Sequence, residues 1–118
     1  MDELWHLSEA YFFQGLEREK GAFLAKATSR PLKPNEFVFL ENQPGEYVYY
    51  LERGEILILR SSAAGKEPIM SIRRPGEMFG LAEVIGQRER KCTARVIGEG
   101  LVHQVGSANW EELLANHY

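Results

Sequence analysis

Hydrophobic positions along the chain fall first at helical and then at alternating intervals. Leu4, Leu7, Tyr11 and Phe12 recur one helical turn apart and predict a short helix over residues 4–13. Gln14-Gly15 interrupts it. Leu16, Phe23, Leu24 and Ala27 then mark the apolar face of a second helix whose other face carries Glu17, Arg18, Glu19 and Lys20. After Ser29 the pattern changes to alternation, and Pro31 and Pro34 exclude a continuous helix. Aromatic and β-branched runs over 36–40 and 47–51, with a turn over 41–46, predict strands. Arg53-Gly54 reads as a tight hairpin, followed by a strand over 55–60, a loop over 61–66 and a return strand over 68–73. Farther on, Glu99-Gly100 reads as a turn and 101–105 as a returning strand. Ser107 can cap a final helix with Trp110, Leu113 and Leu114 on its apolar face. Short strands separated by turns at intervals of roughly 8 to 12 residues predict a sandwich or roll rather than an α/β sheet.

The stretch 76–96 carries the chemistry. Pro75-Gly76-Glu77 turns the chain into Met78-Phe79, Gly80 frees the backbone, and an apolar run of helical length follows from Leu81. The first N–H groups of such a run lack intrahelical partners and attract an anion. A basic cluster, Arg88, Arg90 and Lys91, then enters a segment in which Cys92, Ala94 and Val96 share one face and Thr93 and Arg95 the other. An arginine there can fork onto two oxygens of an oxyanion, which a lysine cannot. With Arg90 as the anchor, Cys92, Ala94 and Val96 point inward. A slip of one residue would give the role to Lys91, the second candidate, and turn Arg95 toward the core. The plainer reading of Arg90 is a strand-end arginine in water.

Phe79-Gly80, the short helix and then Arg90 opening a strand resemble the phosphate-binding cassette of cyclic-nucleotide-binding domains, in the style of bacterial regulators of the cyclic-AMP receptor/fumarate-nitrate regulator (CRP/FNR) family. In that family's pattern Phe-Gly-Glu precedes the short helix and Arg-Ser-Ala follows it; the glutamate holds the ribose hydroxyl and the arginine the cyclic phosphate. Carried over, Gly80 matches the glycine, Leu81 stands where the glutamate would be, and Arg90-Lys91-Cys92 stand for Arg-Ser-Ala. The resemblance implies a ligand-binding set of Gly80, Leu81, Ala82, Glu83, Arg90, Lys91 and Cys92. Leu81 cannot accept a bond from a ribose hydroxyl, a loss of about 1.5 to 3 kcal/mol or roughly 10- to 150-fold in affinity, so cyclic AMP in its usual pose is disfavoured. Glu83 compensates only if the helix start shifts; a solvated or capping role is the alternative.

Leu32-Lys33-Pro34-Asn35-Glu36 resembles the family's approach to the roll, Tyr49-Tyr50-Leu51-Glu52-Arg53-Gly54 its central hairpin and Gly65-Lys66-Glu67 its next turn, so the likeness covers residues 12–117. It implies a mainly β fold: a double-stranded β-helix, or eight-stranded jelly-roll β-roll, flanked by N- and C-terminal helices. The expected division is a helical lead-in over 1–27, the roll over 28–106 and the start of a C-terminal helix over 107–118. In the full-length family a dimerisation helix and a winged helix-turn-helix domain would follow. The chain is therefore expected to be the effector-sensing part of a homodimeric transcription regulator that contacts DNA through a domain outside it.

Composition narrows the partners. With 118 residues, 44% of them hydrophobic, the chain suits one globular domain. A formal charge of −3, from 14 basic and 17 acidic residues, argues against gripping a phosphate backbone directly. The single cysteine excludes an internal disulfide and cannot supply an iron–sulfur cluster, which sets aside the oxygen-sensing branch of the family. The acidic start lacks the apolar core of a signal peptide, and no run approaches the ~20 residues of a membrane span; a soluble cytoplasmic protein is expected. Cys92 reads as a small buried hydrophobe, with a thiol sensor or haem ligand as the alternative. His6, His103 and His117 are scattered, which gives little support to a metal-dependent β-roll enzyme. Phe37, Phe39, Tyr47, Tyr49 and Tyr50 read as core and sheet-face packing rather than a stacking platform for bases. No cofactor is expected beyond a small anionic or nucleotide-like effector. The alternative function is a dimerisation or protein-contact module without a small ligand.

Overall fold

The computed structural model describes residues 9–61, 68–85 and 88–117. Most of the helix expected over 4–13 lies outside these residues, and 10–15 form turns. The loop over 61–66, apart from Ser61, and the turn Gly65-Lys66-Glu67 also lie outside them. Helix α1 (Glu17–Lys26) leads into strands β1 (Thr28–Leu32), β2 (Phe37–Phe39), β3 (Tyr47–Leu59), β4 (Ile69–Arg73) and β5 (Met78–Phe79). A single-turn helix, α2 (Leu81–Ile85), precedes the long strand β6 (Thr93–Gly106) and the final helix α3 (Ser107–His117). All pairings are antiparallel, in the order β1-β6-β3-β4, with β2 added to β6 and β5 to β3. Pro31 is tolerated in β1 because that strand pairs with β6 alone and needs no donor on its free side.

Two expected reversals are bends instead. Strands β3 and β6 pair from Tyr47↔Gly106 to Leu59↔Thr93, and their register shifts between Leu51 and Glu55. Gly54 lies in that shift at φ +93°, and a Cβ added there would stand 2.6 Å from the Glu99 carbonyl oxygen. Arg53-Gly54 and Glu99-Gly100 are thus the two sides of one shared corner, where the paired ribbon bends without breaking. This is why the described residues form six strands where the resemblance implied eight: two strands of double length each serve two sides of the roll.

Alternation along the strands divides the apolar residues between two cores. Leu32, Phe39, Tyr49, Leu51, Ile56, Phe79, Ala94 and Val102 fill the roll interior. Phe13, Phe23, Val48, Met78, Leu81, Val105, Trp110 and Leu113 form a second cluster under the helices. Neighbours in sequence fall on opposite sides, Val48 against Tyr49 and Met78 against Phe79, as a pleated strand requires. The cassette sits on the seam between these clusters.

Candidate functional site

Strand β5 ends at Gly80, whose φ of +82° turns the chain sharply into α2. A Cβ at this residue would stand 3.0 Å from the Arg90 guanidinium and 3.1 Å from the Tyr49 ring, so the glycine is required by space as well as by backbone. Its carbonyl oxygen is thereby left free to face Arg90.

Arg90 is not at a wet strand end; it is 2% exposed. One terminal nitrogen donates to the Gly80 carbonyl at 2.8 Å and to Glu83 Oε1 at 3.1 Å, and the other donates to the Tyr47 carbonyl at 2.6 Å. The guanidinium lies over the Phe39 ring, 4.1 Å from its centroid. Nε is buried without a partner. The backbone on either side is pinned by the loop between β2 and β3: Arg90 N–H donates to Gln43 O at 2.7 Å and Asn42 N–H to Arg90 O at 2.8 Å. Glu83, expected to be solvated or capping, is 3% exposed and pairs with this buried cation.

The backbone donors expected to receive an external anion have an internal one. Glu9 Oε1 accepts from the Leu81 N–H at 3.0 Å, and its Oε2 accepts from the Gly80 N–H at 3.3 Å and from Arg73 at 3.1 Å. Arg73, 1% exposed, is anchored in turn by Nε donating to the Met78 carbonyl at 2.9 Å. Burial pushes the Glu9 carboxyl up to about 7, against the pull of Arg73 and of the Leu81 amide. Sequence reading found neither residue. One signal was available for Arg73: in the pair Arg73-Arg74, alternation forces one side chain to the inner face.

The remaining candidates are not brought to one point. Leu81 is buried in the helix-side cluster, away from the roll interior. Ala82 contributes its backbone to α2. Lys91 is exposed. Cys92 is buried in the roll interior, and desolvation pushes its thiol up to about 11, which suppresses the reactive thiolate. Next to Arg90 a cleft of about 270 Å³ opens between Arg30, Val38, Phe39, Tyr47 and Tyr49. That is below the roughly 300–1,000 Å³ usual for drug-sized ligands. Tyr49 and Phe79 stack at 5.0 Å behind it, with the Phe39 ring 5.8 Å from Tyr49, so aromatic side chains occupy the roll interior itself.

Elsewhere, His103 Nε2 donates to Glu52 at 2.6 Å and Nδ1 lies 3.2 Å from the Ser29 hydroxyl, a polar network on the sheet's outer side. Among the described residues no three His, Cys, Asp or Glu side chains are grouped to hold a metal ion. Nor, among them, is any helix long and apolar enough to cross a membrane.

The family model described as the cyclic nucleotide-binding domain matches residues 29–117. The chain is 34% identical over 104 residues to a CRP-like cAMP-activated global transcriptional regulator of Mycobacterium tuberculosis, a match spanning 84% of this chain and 44% of the regulator. The Thermus thermophilus catabolite activator protein superposes with a TM-score of 0.81 at 21% identity, over 88% of this chain and 49% of its own. The N-terminal domain of a transcriptional regulator from Streptomyces coelicolor A3(2) gives a TM-score of 0.80 at 20% identity, over 99% of this chain and 82% of its own. At these identities the structural likeness is one of fold. The chain spans less than half the length of the curated regulators it matches.

Proposed function

The chain belongs to the cyclic-nucleotide-binding domains of the CRP/FNR family, and from that premise we propose that it senses a small anionic effector on behalf of a transcription regulator. The observation that carries this reading is the placement of Arg90. Its guanidinium is folded into the roll beside a cleft, just ahead of β6, at the position that matches the arginine with which the family holds its cyclic phosphate. A buried arginine is costly to retain unless its charge is used or matched. Cyclic AMP in its usual pose is disfavoured, because Leu81 offers no acceptor for a ribose. DNA is contacted through a domain outside this chain, the full-length protein works as a homodimer in the cytoplasm, and the domain has no catalytic role. Effector binding acts by favouring one of two arrangements of the last helix.

A second reading has its own support. Arg90 and the amides of Gly80 and Leu81 all have internal partners, which is what a ligand-free protein-contact module would show. Titration calorimetry with cyclic AMP, cyclic GMP and a panel of small organic acids separates the two. For the sensor, saturable binding of at least one compound is expected, lost in Arg90→Ala and kept in Lys91→Ala, with circular dichroism confirming that both variants fold. Silence across the panel would favour the contact module.

A further inference from the structure

We propose that Glu83 is a resident competitor for the anion seat on Arg90, so that an effector must bind there against the charge of a carboxylate of the chain itself. This rests on the reading of Arg90 as the anion anchor and adds what sets its selectivity.

The contacts define the competitor. Glu83 touches Arg90 through one oxygen, Oε1, at 3.1 Å, and both side chains are almost fully buried. A second negative group brought to the same cation would meet this carboxylate at close range in a buried region, so Glu83 weakens the binding of every anion at the seat. Glu83 is also held in position. Its carbonyl accepts from the Arg88 N–H at 2.7 Å, and Gly45 packs so closely that an added Cβ would stand 2.9 Å from the Glu83 Cβ. The occupancy is incomplete, however. Arg90 makes three side-chain bonds to internal acceptors and its Nε is buried without one, whereas a guanidinium carries five N–H donors. An oxyanion that forks onto the open N–H groups makes a two-oxygen contact against the one-oxygen contact of Glu83, which lets it hold Arg90 despite that charge. The selected class is therefore a compact, bidentate oxyanion, and a ligand with a single acceptor cannot compete.

The test compares wild type, Glu83→Gln and the double variant Glu83→Gln/Arg90→Ala, using calorimetric titration with inorganic phosphate and with cyclic AMP. Removing the charge while keeping an acceptor should tighten binding of at least one of the two anions by about tenfold or more, and the gain should vanish in the double variant. Thermal melts in phosphate and in chloride at equal ionic strength add a readout that a purely structural role would not move. Phosphate should raise the Tm of Glu83→Gln and leave that of the wild type nearly unchanged. Equal affinities in wild type and Glu83→Gln, or a gain that survives loss of Arg90, would overturn the proposal. Should Glu83→Gln not fold, Glu83→Asp keeps the charge but shortens its reach, and an intermediate gain is expected; failure of both to fold would make the pair structural and end the idea. The two readings fail separately. A wild type silent toward every effector, with anion binding in Glu83→Gln, keeps the competitor and retires the sensor, whereas wild-type binding unaffected by the substitution does the reverse.

Discussion

Glu9 places its carboxyl group in a buried position, with two backbone amides and Arg73 as its donors. Burial is the largest influence on it and raises its pKa from 4.5 to about 7; the Glu83 charge adds to the rise, while Arg73 and the Leu81 amide oppose it. The native state therefore holds a proton that the unfolded chain has released between pH 4.5 and about 7. The contribution to stability is complete below the lower value and disappears as pH rises through the upper one, a change of roughly 3 kcal/mol at most. Glu9→Gln keeps an acceptor without the titration. Urea unfolding of both proteins from about pH 4 to 8 should show wild type losing stability relative to Glu9→Gln across that window. A difference that stays level would mean that the amides and Arg73 cancel the effect of burial. The same residue marks a limit of sequence reading. Arg90 is legible because its charge falls just ahead of β6, in step with the inward-facing Cys92, Ala94 and Val96, but Glu9 reaches Leu81 across 72 positions, and no local pattern links them.

At the scale of elements, periodicity identified α1, α3 and most strands, and it failed at Gly54 and Gly100, where a shared bend was read as two reversals. Gly54 announces a backbone that leaves the ordinary region, and its φ of +93° confirms that much. Whether the chain then reverses or only bends depends on what lies across from it. Here β6 continues on the other side and bends in step, so the pair turns a corner together. That information belongs to β6, not to the residues around Gly54. The corner makes a sharp comparison possible. Gly54→Ala would place a methyl 2.6 Å from the Glu99 carbonyl oxygen in a strained conformation, and should cost about 1 to 3 kcal/mol or more in chemical denaturation. Gly21, exposed in α1 with nothing within 4 Å of an added Cβ, should give the opposite sign on conversion to alanine, a gain of about 0.5 to 1 kcal/mol. Destabilisation of similar size at both sites would show that the close approach at the corner contributes nothing.

For the whole molecule, the arrangement that matters is a continuous run of backbone bonds from the cassette to the last helix. Glu83 accepts from the Arg88 amide, the Arg88 carbonyl accepts from Gly45 at 3.1 Å, and the next residue, Glu46, accepts from the Ser107 amide at 2.9 Å, where α3 begins. Arg90 is tied into the same loop through Asn42 and Gln43, and its side chain holds the Tyr47 carbonyl at the loop's far end. A change at the anion seat is thus a change in the loop that positions the first turn of α3, whereas the ladder joining β1 to β6 shares none of these bonds. Hydrogen exchange can separate the two regions, because protection reports local opening rather than global stability. Arg90→Ala should accelerate exchange of the Asn42, Gly45 and Ser107 amides together, by about tenfold or more for the loss of one to two kcal/mol of local restraint, while amides in the Thr28–Leu32 ladder keep their protection. If the β1 ladder exchanges faster by the same factor, the variant has lowered global stability and the loop transmits nothing. If Ser107 alone stays protected, the final helix is anchored by Trp110 and Leu113 in the helix-side core, and a signal from the cassette would have to reach it through that packing instead.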